Sequence, residues 1–321
     1  MDVFLTFAYY IIEHVFVFVV DERIQCLRMN IEMKTAFIGG DARQHTAAVK
    51  LADLGRFVTF FGGDFEKCER IRYFSSLDEA INDAQIVILP LPASVDGSNL
   101  NAPFFSGGQI KLAYIIDRLK DGVLLIGGRI PEKTLEEASK KGIRVIDYFV
   151  SEEFQIKNAY TTAEAALCIA MNNLKKNIKD SRFAITGYGR IAKCLSNLLL
   201  KLDANVCVLA RKESDLAWAR LSGARTQKLD LKAIDSLESG YDVIFNTVPA
   251  WLFGENFLIQ MSKKTQIIDL ASSPGGVDIS AAKKIGANVV WASSLPGKYA
   301  PESAGDLIFD CIKGIIEGVE K

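Results

Sequence analysis

Gly187-Tyr188-Gly189-Arg190-Ile191-Ala192 forms a G-x-G-x-x-A motif between a predicted strand and a predicted helix. The strand is the β-type run at residues 182–186, and apolar residues at helical spacing follow across residues 192–202. A second apolar run, at residues 206–210, indicates another strand. Strand, tight turn, helix and strand form the unit that holds a dinucleotide pyrophosphate at a helix N-terminus. We therefore expect this segment to bind a dinucleotide.

The end of the second predicted strand indicates which dinucleotide binds. Sites for NAD usually place Asp or Glu there, where the carboxylate binds the ribose 2′-hydroxyl. Here Arg211 and Lys212 follow the strand, and two cations suit the 2′-phosphate of NADP. A solvated charge pair at a strand end is the other interpretation. We predict NADP, with NAD the less favoured cofactor.

Length, charge and cysteine usage restrict the class of protein. A chain of 321 residues is long enough for about two domains. The net charge of −1 gives no reason to expect nucleic acid or an anionic membrane as a partner. The six cysteines lie far apart without a C-x-x-C pair, so we predict no metal site and a reducing compartment.

The first 32 residues differ in composition from the rest of the chain. Residues 4–20 are apolar and aromatic, interrupted by Glu13 and His14. The run lacks the basic start of a secretory signal and is slightly short for a membrane span. The sequence from Met33 onward is typical of the start of a domain. We expect residues 1–32 to be a hydrophobic extension from a start codon assigned too far upstream; a membrane anchor is the alternative.

Strands alternate with helices from Met33 onward, which predicts parallel sheets covered by helices. The predicted strands in the first half span residues 35–38, 57–61, 86–89, 123–126 and 143–146. The predicted helices there span residues 44–54, 77–82 and 131–141. The second half continues with strands at 243–247, 267–271 and 289–291 and ends with a helix at 304–319.

An internal repeat indicates two copies of one architecture. Gly39 and Gly187 open equivalent turns, 148 positions apart, and the apolar positions of the strand–helix–strand unit repeat at that offset without a gap. The first copy lacks the second motif glycine and has Asp41 in its turn, which would repel a pyrophosphate. We predict two Rossmann-like, doubly wound parallel-sheet domains, of which the first serves the substrate. Chance similarity between two βαβ units is the alternative.

The predicted domain boundaries follow from this repeat. Residues 33–158 form the substrate domain, residues 159–301 the NADP-binding domain with a hinge helix at its start, and residues 302–321 a helix that returns to the first domain. Thr161 and Glu164 have capping-box spacing, which predicts that the hinge helix begins there and continues over residues 165–177.

The predicted cofactor contacts lie where ligands of parallel sheets bind, just after the carboxyl ends of strands. Gly, Pro and Ser also populate turns for backbone reasons alone. These candidates are Gly187, Tyr188, Gly189, Arg190, Ile191, Arg211, Lys212, Thr247, Val248, Pro249, Ala271, Ser272, Gly276, Leu295 and Pro296.

Seven motifs occur in order from about residue 33 to the C-terminus. They read Gly39-Gly40-Asp41-Ala42-Arg43-Gln44, Leu89-Pro90-Leu91-Pro92, Asn158-x-x-Thr161-Thr162-Ala163-Glu164, Gly187-Tyr188-Gly189-Arg190, Ala210-Arg211-Lys212, Ile268-Asp269-Leu270-Ala271-Ser272-x-Pro274-Gly275-Gly276 and Leu295-Pro296-Gly297-Lys298-x-Ala300-Pro301. In these motifs the chain resembles the A subunits of bacterial dipicolinate synthases. The resemblance implies NADP-dependent oxidation of dihydrodipicolinate to dipicolinate, directly or after a hydroxylated tetrahydro precursor loses water. It also implies that the partner is a flavoprotein-like B subunit, with a role in spore formation in the mother-cell cytoplasm.

Six residues are candidates for catalysis or for binding a small dicarboxylate substrate: Asp41, Arg43, Tyr160, Thr162, Glu164 and Lys298. Arg43 and Lys298 could bind carboxylates, although each also fits a solvated surface position. Asp41 and Glu164 are candidate proton acceptors, and Tyr160 could stack on the ring. Because aromatisation drives the oxidation, a strong base is less necessary than in alcohol oxidation. A homo-oligomer is left open.

Two other functions compete with this interpretation. A dehydrogenase of the two-domain 2-hydroxyacid class would use a histidine to move the alcohol proton. The chain has only His14 and His45, and neither lies in the predicted cofactor domain. A non-catalytic NADP sensor would need no second lobe lined with cations, and Arg43 and Lys298 argue against it.

Overall fold

The computed structural model describes residues 33–230, 240–261 and 264–320, so the hydrophobic extension predicted at residues 1–32 lies outside the described residues. The chain divides into two compact units. Among the described residues, unit 1 contains residues 33–150 and 305–320, and unit 2 contains residues 151–304.

Unit 1 is built on a parallel sheet covered by helices. Its strands are β1 (Thr35–Ile38), β2 (Val58–Phe61), β3 (Ile71–Phe74), β4 (Ile86–Ile88), β5 (Leu124–Gly127) and β6 (Arg144–Asp147). Its helices before residue 151 are α1 (Ala42–Asp53), α2 (Leu77–Ile81), α3 (Leu112–Arg118) and α4 (Glu132–Lys140), followed by a 3₁₀ turn at Tyr148–Val150. The described strands pair in the order β3-β2-β1-β4-β5-β6.

Unit 2 has the same plan. Its described strands are β7 (Arg182–Thr186), β8 (Asn205–Ala210), β9 (Arg225–Lys228), β10 (Val243–Asn246), β11 (Gln266–Asp269) and β12 (Val289–Trp291). Its described helices are α5 (Glu152–Asn173), α6 (Arg190–Lys201), α7 (Glu213–Leu221), α8 (Glu255–Gln260), α9 (Ile279–Ile285) and α10 (Leu295–Tyr299), with a 3₁₀ turn at Ile178–Asp180. The sheet order is β9-β8-β7-β10-β11-β12.

Both sheets therefore have the doubly wound order 3-2-1-4-5-6 typical of dinucleotide-binding folds. The strand pairs are parallel throughout the described ladders. The predicted fold class, two Rossmann-like parallel-sheet domains, is confirmed. The repeat also holds at the level of the helices, since α1 and α6 begin and end 148 positions apart.

The core of each unit lies on both faces of its sheet. The central strands β1, β2, β4 and β10 are buried along their whole length, and β7 is buried from Phe183 onward, which explains their largely apolar character. In unit 2, Phe183 and Phe245 lie on one face with the apolar side of α6, while Ala184 and Ile244 lie on the other. Burial on both faces thus fixes the strand register.

Helix α5 corrects the predicted start of the hinge helix. The helix begins at Glu152, where the Ser151 hydroxyl accepts a hydrogen bond from the Phe154 N–H at 3.3 Å. Thr161 therefore lies inside the helix, and its hydroxyl donates to the Lys157 carbonyl at 3.4 Å. The predicted capping box with Glu164 is wrong, because the observed N-cap, Ser151, lies ten residues before Thr161. Unit 2 accordingly begins at Ser151.

The last helix, α11 (Pro301–Val319), returns to unit 1 as predicted, since its residues from Gly305 onward belong to that unit. Gly305 allows a close approach to α1: a Cβ at this position would lie 2.5 Å from the Thr46 Cβ and 2.9 Å from the Arg43 carbonyl oxygen. An ion pair of 2.6 Å between Lys50 and Asp306 lies beside this contact.

No helix in the described part of the chain combines the length and the apolar character needed to cross a membrane.

Candidate functional site

The turn after β7 is pressed against the turn after β10. Gly187 has a φ of +86°, and its N–H donates to the Leu209 carbonyl at 2.7 Å. A Cβ on Gly187 would lie 2.6 Å from Thr247 Oγ1 and 3.0 Å from Val248 Cγ2. The first motif position therefore needs glycine both for its left-handed backbone and for this close approach.

Gly189 occupies the N-cap of α6 and leaves that helix end without a side-chain cap. A Cβ at Gly189 would meet no other atom within 4 Å. The first N–H groups of α6 are thus not screened by a neighbouring side chain at the cap. Unpaired N–H groups and the helix dipole make such an end suited to a phosphate.

The equivalent helix end in unit 1 is closed. Asp41, 148 positions before Gly189, is the N-cap of α1, and its carboxylate accepts a hydrogen bond from the Arg43 N–H at 3.1 Å. The Asp41 carboxylate, which is paired with the Arg43 guanidinium, occupies the position where an anionic ligand would have to bind. The two copies of the fold therefore differ at the N-cap, which is Asp41 in unit 1 and Gly189 in unit 2, and this difference leaves the helix end in unit 2 free for a phosphate.

Two other motif residues have partners within unit 2. The Arg190 guanidinium donates to both Glu152 carboxylate oxygens, at 2.9 and 2.5 Å, and both side chains are exposed. The hydrogen bond from Arg190 lowers the pKa of Glu152. The Tyr188 side chain is buried in the core beside α6, so only its backbone faces the turn. Ile191 is half-buried in the first turn of α6.

The two cations after β8 are exposed and remain available. No ion pair joins Arg211 or Lys212 to any residue within the described ranges. The acid that follows them, Glu213, is bound at 2.6 Å by Lys228. The end of β8 thus presents two positive charges and has its neighbouring carboxylate already neutralised.

A buried polar cluster joins the carboxyl ends of β7, β10 and β11. Thr186, Asn246 and Asp269 are each at most 1 % exposed. The Thr186 hydroxyl donates to Asn246 Oδ1 at 2.6 Å, and Asn246 Nδ2 donates to Asp269 Oδ1 at 2.8 Å. The candidate list from the sequence omitted these three residues. In the sequence, each is a polar residue that ends a strand directly after at least two buried apolar residues.

This cluster holds the two loops predicted to contact the cofactor. Asp269 accepts hydrogen bonds from the Ala271 N–H at 3.1 Å and the Gly276 N–H at 2.8 Å. The Val248 backbone exchanges two hydrogen bonds of 3.1 Å with the Asn246 side chain. A Cβ on Gly276 would lie 2.3 Å from Asn246 Nδ2, so the loops are packed against each other there.

The predicted cofactor residues of unit 2 are thus gathered at one sheet edge, since all follow parallel strands that end there. Within this edge, Pro249 and Ser272 are exposed, whereas Leu295 and Pro296 are buried at the start of α10. Thr247 donates its hydroxyl to the Thr186 carbonyl at 2.7 Å. The motif Leu295–Pro301 before the last helix contains the short helix α10, which carries Lys298 exposed to solvent.

In unit 1, Arg43 is buried rather than solvated. Its side chain donates three hydrogen bonds to the Asp41 carboxylate, between 2.8 and 3.1 Å, and one of 2.7 Å to the Leu91 carbonyl. The charges of Asp41 and Arg43 therefore compensate each other, which removes Asp41 as a free proton acceptor. Burial raises the pKa of Tyr148, a neighbour of this pair, so the phenol stays protonated.

The candidates on α5 have mixed surroundings. The Thr162 hydroxyl is buried and donates to the Asn158 carbonyl at 2.8 Å, so its proton is already used within the helix. Tyr160 and Glu164 are exposed in the middle of the helix.

His45 has partners of its own in unit 1. Its Nε2 lies 2.8 Å from the Tyr73 hydroxyl, and its ring stacks on Phe65 at 4.8 Å. Burial lowers the pKa of His45, so the imidazole is neutral at pH 7.

Comparison with known proteins agrees with these features. Residues 34–149 match the family model for the N-terminal domain of the dipicolinate synthase A subunit. The A subunit of dipicolinate synthase from Bacillus subtilis (strain 168) is 27 % identical over 299 residues, which cover 90 % of this chain and 97 % of that protein.

Two crystal structures extend the match to the fold. The dipicolinate synthase A subunit from Bacillus halodurans aligns with a TM-score of 0.75 at 26 % identity, covering 88 % of this chain and 97 % of that one. Its counterpart from Bacillus subtilis gives a TM-score of 0.75 at 25 % identity, with 90 % and 97 % covered. Over most of its length the chain is accordingly similar to dipicolinate synthase A subunits, and residues 34–149 match the model of their N-terminal domain.

Proposed function

We propose that the chain is an NADP-dependent oxidoreductase that converts dihydrodipicolinate to dipicolinate. The observation that carries the proposal is the contrast between the two helix ends: α6 begins at an uncapped glycine, whereas the equivalent end of α1 is filled by Asp41. Of these two helix ends, both within the described residues, the one in unit 2 is therefore the pyrophosphate site of the Rossmann type. The similarity to dipicolinate synthase A subunits supports the proposed substrate.

The residues present fit the proposed cofactor. The backbone of Gly187–Arg190 would hold the pyrophosphate, and Arg211 and Lys212 would bind the 2′-phosphate. The loops that begin at Thr247 and Ala271, together with the start of α10, would contact the rest of the dinucleotide. When bound, NADP supplies the hydride acceptor.

The remaining chemistry makes modest demands on the protein. Oxidation of the dihydro ring removes one hydride and one proton from neighbouring ring carbons, and the gain of aromaticity drives the step. The chain has to bind the two carboxylates and orient the ring, so positioning contributes more than a strong base. This agrees with Asp41, which is neutralised by Arg43 and is not free to accept a proton.

The surroundings of His45 disfavour an oxidation of the 2-hydroxyacid type. That reaction needs a histidine free to accept the alcohol proton. Among the described residues His45 is the one histidine, it lies in unit 1, and its ring is bound by Tyr73 and stacked on Phe65.

The proposed activity can be tested directly. Purified protein is mixed with NADP and freshly generated precursor, and dipicolinate is followed by its ultraviolet absorbance together with NADPH formation. We expect both signals to rise in equal amounts. If no dipicolinate forms even with the flavoprotein-like B subunit present, the chain is not the redox subunit and a sensor of NADP is favoured.

Cofactor choice provides a mutational prediction. The double variant Arg211→Asp, Lys212→Ser should bind NADP on the order of 100-fold more weakly, because two charge-assisted contacts to the 2′-phosphate are lost. Affinity for NAD should stay the same or rise. Both dissociation constants are measured by calorimetry.

The matched control changes the same net charge elsewhere in unit 2. Lys283→Ser with Lys284→Asp alters the last turn of α9 and should leave both affinities unchanged. Equal loss of NADP affinity in the two double variants would mean that overall charge, not a local phosphate contact, sets the preference.

We also propose that the chain works with a flavoprotein-like B subunit in the mother-cell cytoplasm during spore formation. The resemblance to dipicolinate synthase A subunits supports this partner. Co-purification of the tagged chain with the B subunit from one expression host tests it, and separate elution of the two proteins at micromolar concentration would contradict it.

A further inference from the structure

The sequence predicts that unit 1 binds the dicarboxylate substrate, which requires a cation, and Arg43 is poorly placed to supply it. Its Nε and Nη2 are taken by Asp41 and the Leu91 carbonyl, and the residue is only 6 % exposed. A bidentate salt bridge needs two free N–H groups on one side of the guanidinium. The Asp41 carboxylate already has that position.

Arg129 lies at the carboxyl edge of the same sheet. It follows β5, and the preceding Gly128 bonds to the segment after β4: the Gly128 N–H donates to the Pro90 carbonyl at 3.3 Å, and the Gly128 carbonyl accepts from the Ala93 N–H at 2.8 Å. Arg129 is therefore next to Leu89–Pro92, one of the seven motifs in which the chain resembles dipicolinate synthase A subunits. Ligands of parallel α/β sheets bind at this edge.

The backbone at Arg129 is held in an uncommon conformation. Its φ is +53°, in the left-handed region that favours glycine. The Asp147 carboxylate stabilises this turn by accepting hydrogen bonds from the N–H groups of Arg129 at 3.1 Å, Ile130 at 2.8 Å and Phe149 at 2.8 Å. An arginine thus stands where local backbone preference would place glycine, which is typical of functional positions.

The Arg129 side chain is exposed and available. Its guanidinium carbon lies 5.6 Å from the centroid of the Phe149 ring. No carboxylate in the described ranges forms an ion pair with it, whereas Arg43, Arg56 and Arg118 each have an acidic partner within 2.8 Å. A guanidinium resting on an aromatic ring with its donors free suits a carboxylate on a planar ring.

We propose that Arg129 binds one carboxylate of the substrate through a bidentate salt bridge, with Asp147 holding the turn that presents it. The proposal rests on the proposed oxidation of a ring dicarboxylate. It assigns to Arg129 the carboxylate contact that the sequence suggested for Arg43.

The test uses Arg129→Gly, which removes the fork and also suits the positive φ, so the variant should be at least as stable as wild type. Calorimetry with saturating NADP measures binding of dipicolinate and of picolinate, which has one carboxylate. In Arg129→Gly we expect dipicolinate to bind on the order of 10- to 100-fold more weakly, because a charge-assisted pair is lost. The preference for dipicolinate over picolinate should shrink, KM for the precursor should rise similarly, and NADP affinity should stay the same.

Asp83→Gly is the matched control. Asp83 is another non-glycine residue of unit 1 with a positive φ, +55°. It pairs with Lys120, and both residues precede strands, so they lie at the amino ends of β4 and β5 and not at the carboxyl edge. This variant should keep the wild-type affinity for dipicolinate.

The outcomes separate the two proposals. If wild type binds and forms dipicolinate but Arg129→Gly keeps its affinity and its preference over picolinate, the assignment of Arg129 is wrong and the proposed oxidation stands. If wild type neither binds nor forms dipicolinate, the proposed function fails and the assignment of Arg129 falls with it.

Discussion

Gly189→Asp is expected to abolish NADP binding while leaving the protein folded and slightly more stable. The substitution gives α6 the cap that Asp41 provides to α1 in unit 1. Gly189 has an extended backbone, with a φ of −80°, and a Cβ there meets no other atom within 4 Å, so the new side chain fits without strain. Replacing glycine by aspartate at an N-cap stabilises a helix by a few tenths of a kcal/mol, roughly.

The loss of cofactor should be large because the new carboxylate occupies the phosphate position. Two unit charges 4 Å apart near a protein surface interact by about 4 kcal/mol, which corresponds to an affinity loss of at least about 100-fold. Urea unfolding measures stability, and calorimetry measures NADP binding.

Ser76→Asp is the control for Gly189→Asp. It adds the same charge at the N-cap of α2 in unit 1, where no side-chain cap is present, and NADP affinity should not change. NADP binding retained within a few-fold by Gly189→Asp would mean that the pyrophosphate does not use the end of α6, and the proposed cofactor site would be wrong.

Asp269→Asn is expected to destabilise the protein by about 2 to 4 kcal/mol and to weaken NADP binding as well. The Asp269 carboxylate is 1 % exposed and accepts from Asn246 Nδ2 and from the N–H groups of Ala271 and Gly276. An amide has only one acceptor oxygen, so its NH₂ group must face at least one of these donors. The loop beginning at Ala271 then loses a hydrogen bond to residue 269. NADP binding is weakened because the cofactor has to order this loop when it binds.

Asp278→Asn tests whether any aspartate in unit 2 behaves this way. Asp278 caps α9 and accepts one hydrogen bond of 2.8 Å from the Ala281 N–H. Asparagine is as good an N-cap as aspartate, so the free energy of unfolding should change by less than about 0.5 kcal/mol. Equal urea midpoints for Asp269→Asn and wild type would show that the buried cluster does not hold the loops.

The repeated architecture could be predicted because its signal is local and periodic. Apolar spacing located β1, α1 and β2 and their copies β7, α6 and β8, and the offset of 148 positions matches the observed helix bounds. The sequence analysis missed β3 and β9. Both are edge strands that are only partly buried, so they lack the continuous apolar run of the central strands. The start of α5 was placed too late because its first turns are largely polar.

The cofactor part of the candidate site could also be predicted from the sequence. Glycines at Gly187, Gly189 and Gly276 and cations at Arg211 and Lys212 follow strand ends, and the carboxyl edge of a parallel sheet brings such residues together. Arg43 and Asp41 are neighbours in sequence, yet the carbonyl that completes their burial comes from Leu91, 48 residues away. Sequence spacing carries no information on that partner.

Local sequence was thus sufficient to specify two doubly wound sheets and the turn that can accept a phosphate, since strand, glycine and helix signals act over a few residues. Whether a charged group is free to bind a ligand depends on contacts between segments that are distant in the sequence. Arg43 pairs with Asp41 and also donates to the Leu91 carbonyl. Asp147 accepts hydrogen bonds from the turn at Arg129, and Asp269 accepts hydrogen bonds that hold the loop after β11. Hydrogen bonds between residues far apart in the chain depend on the folded geometry, which a linear pattern does not encode.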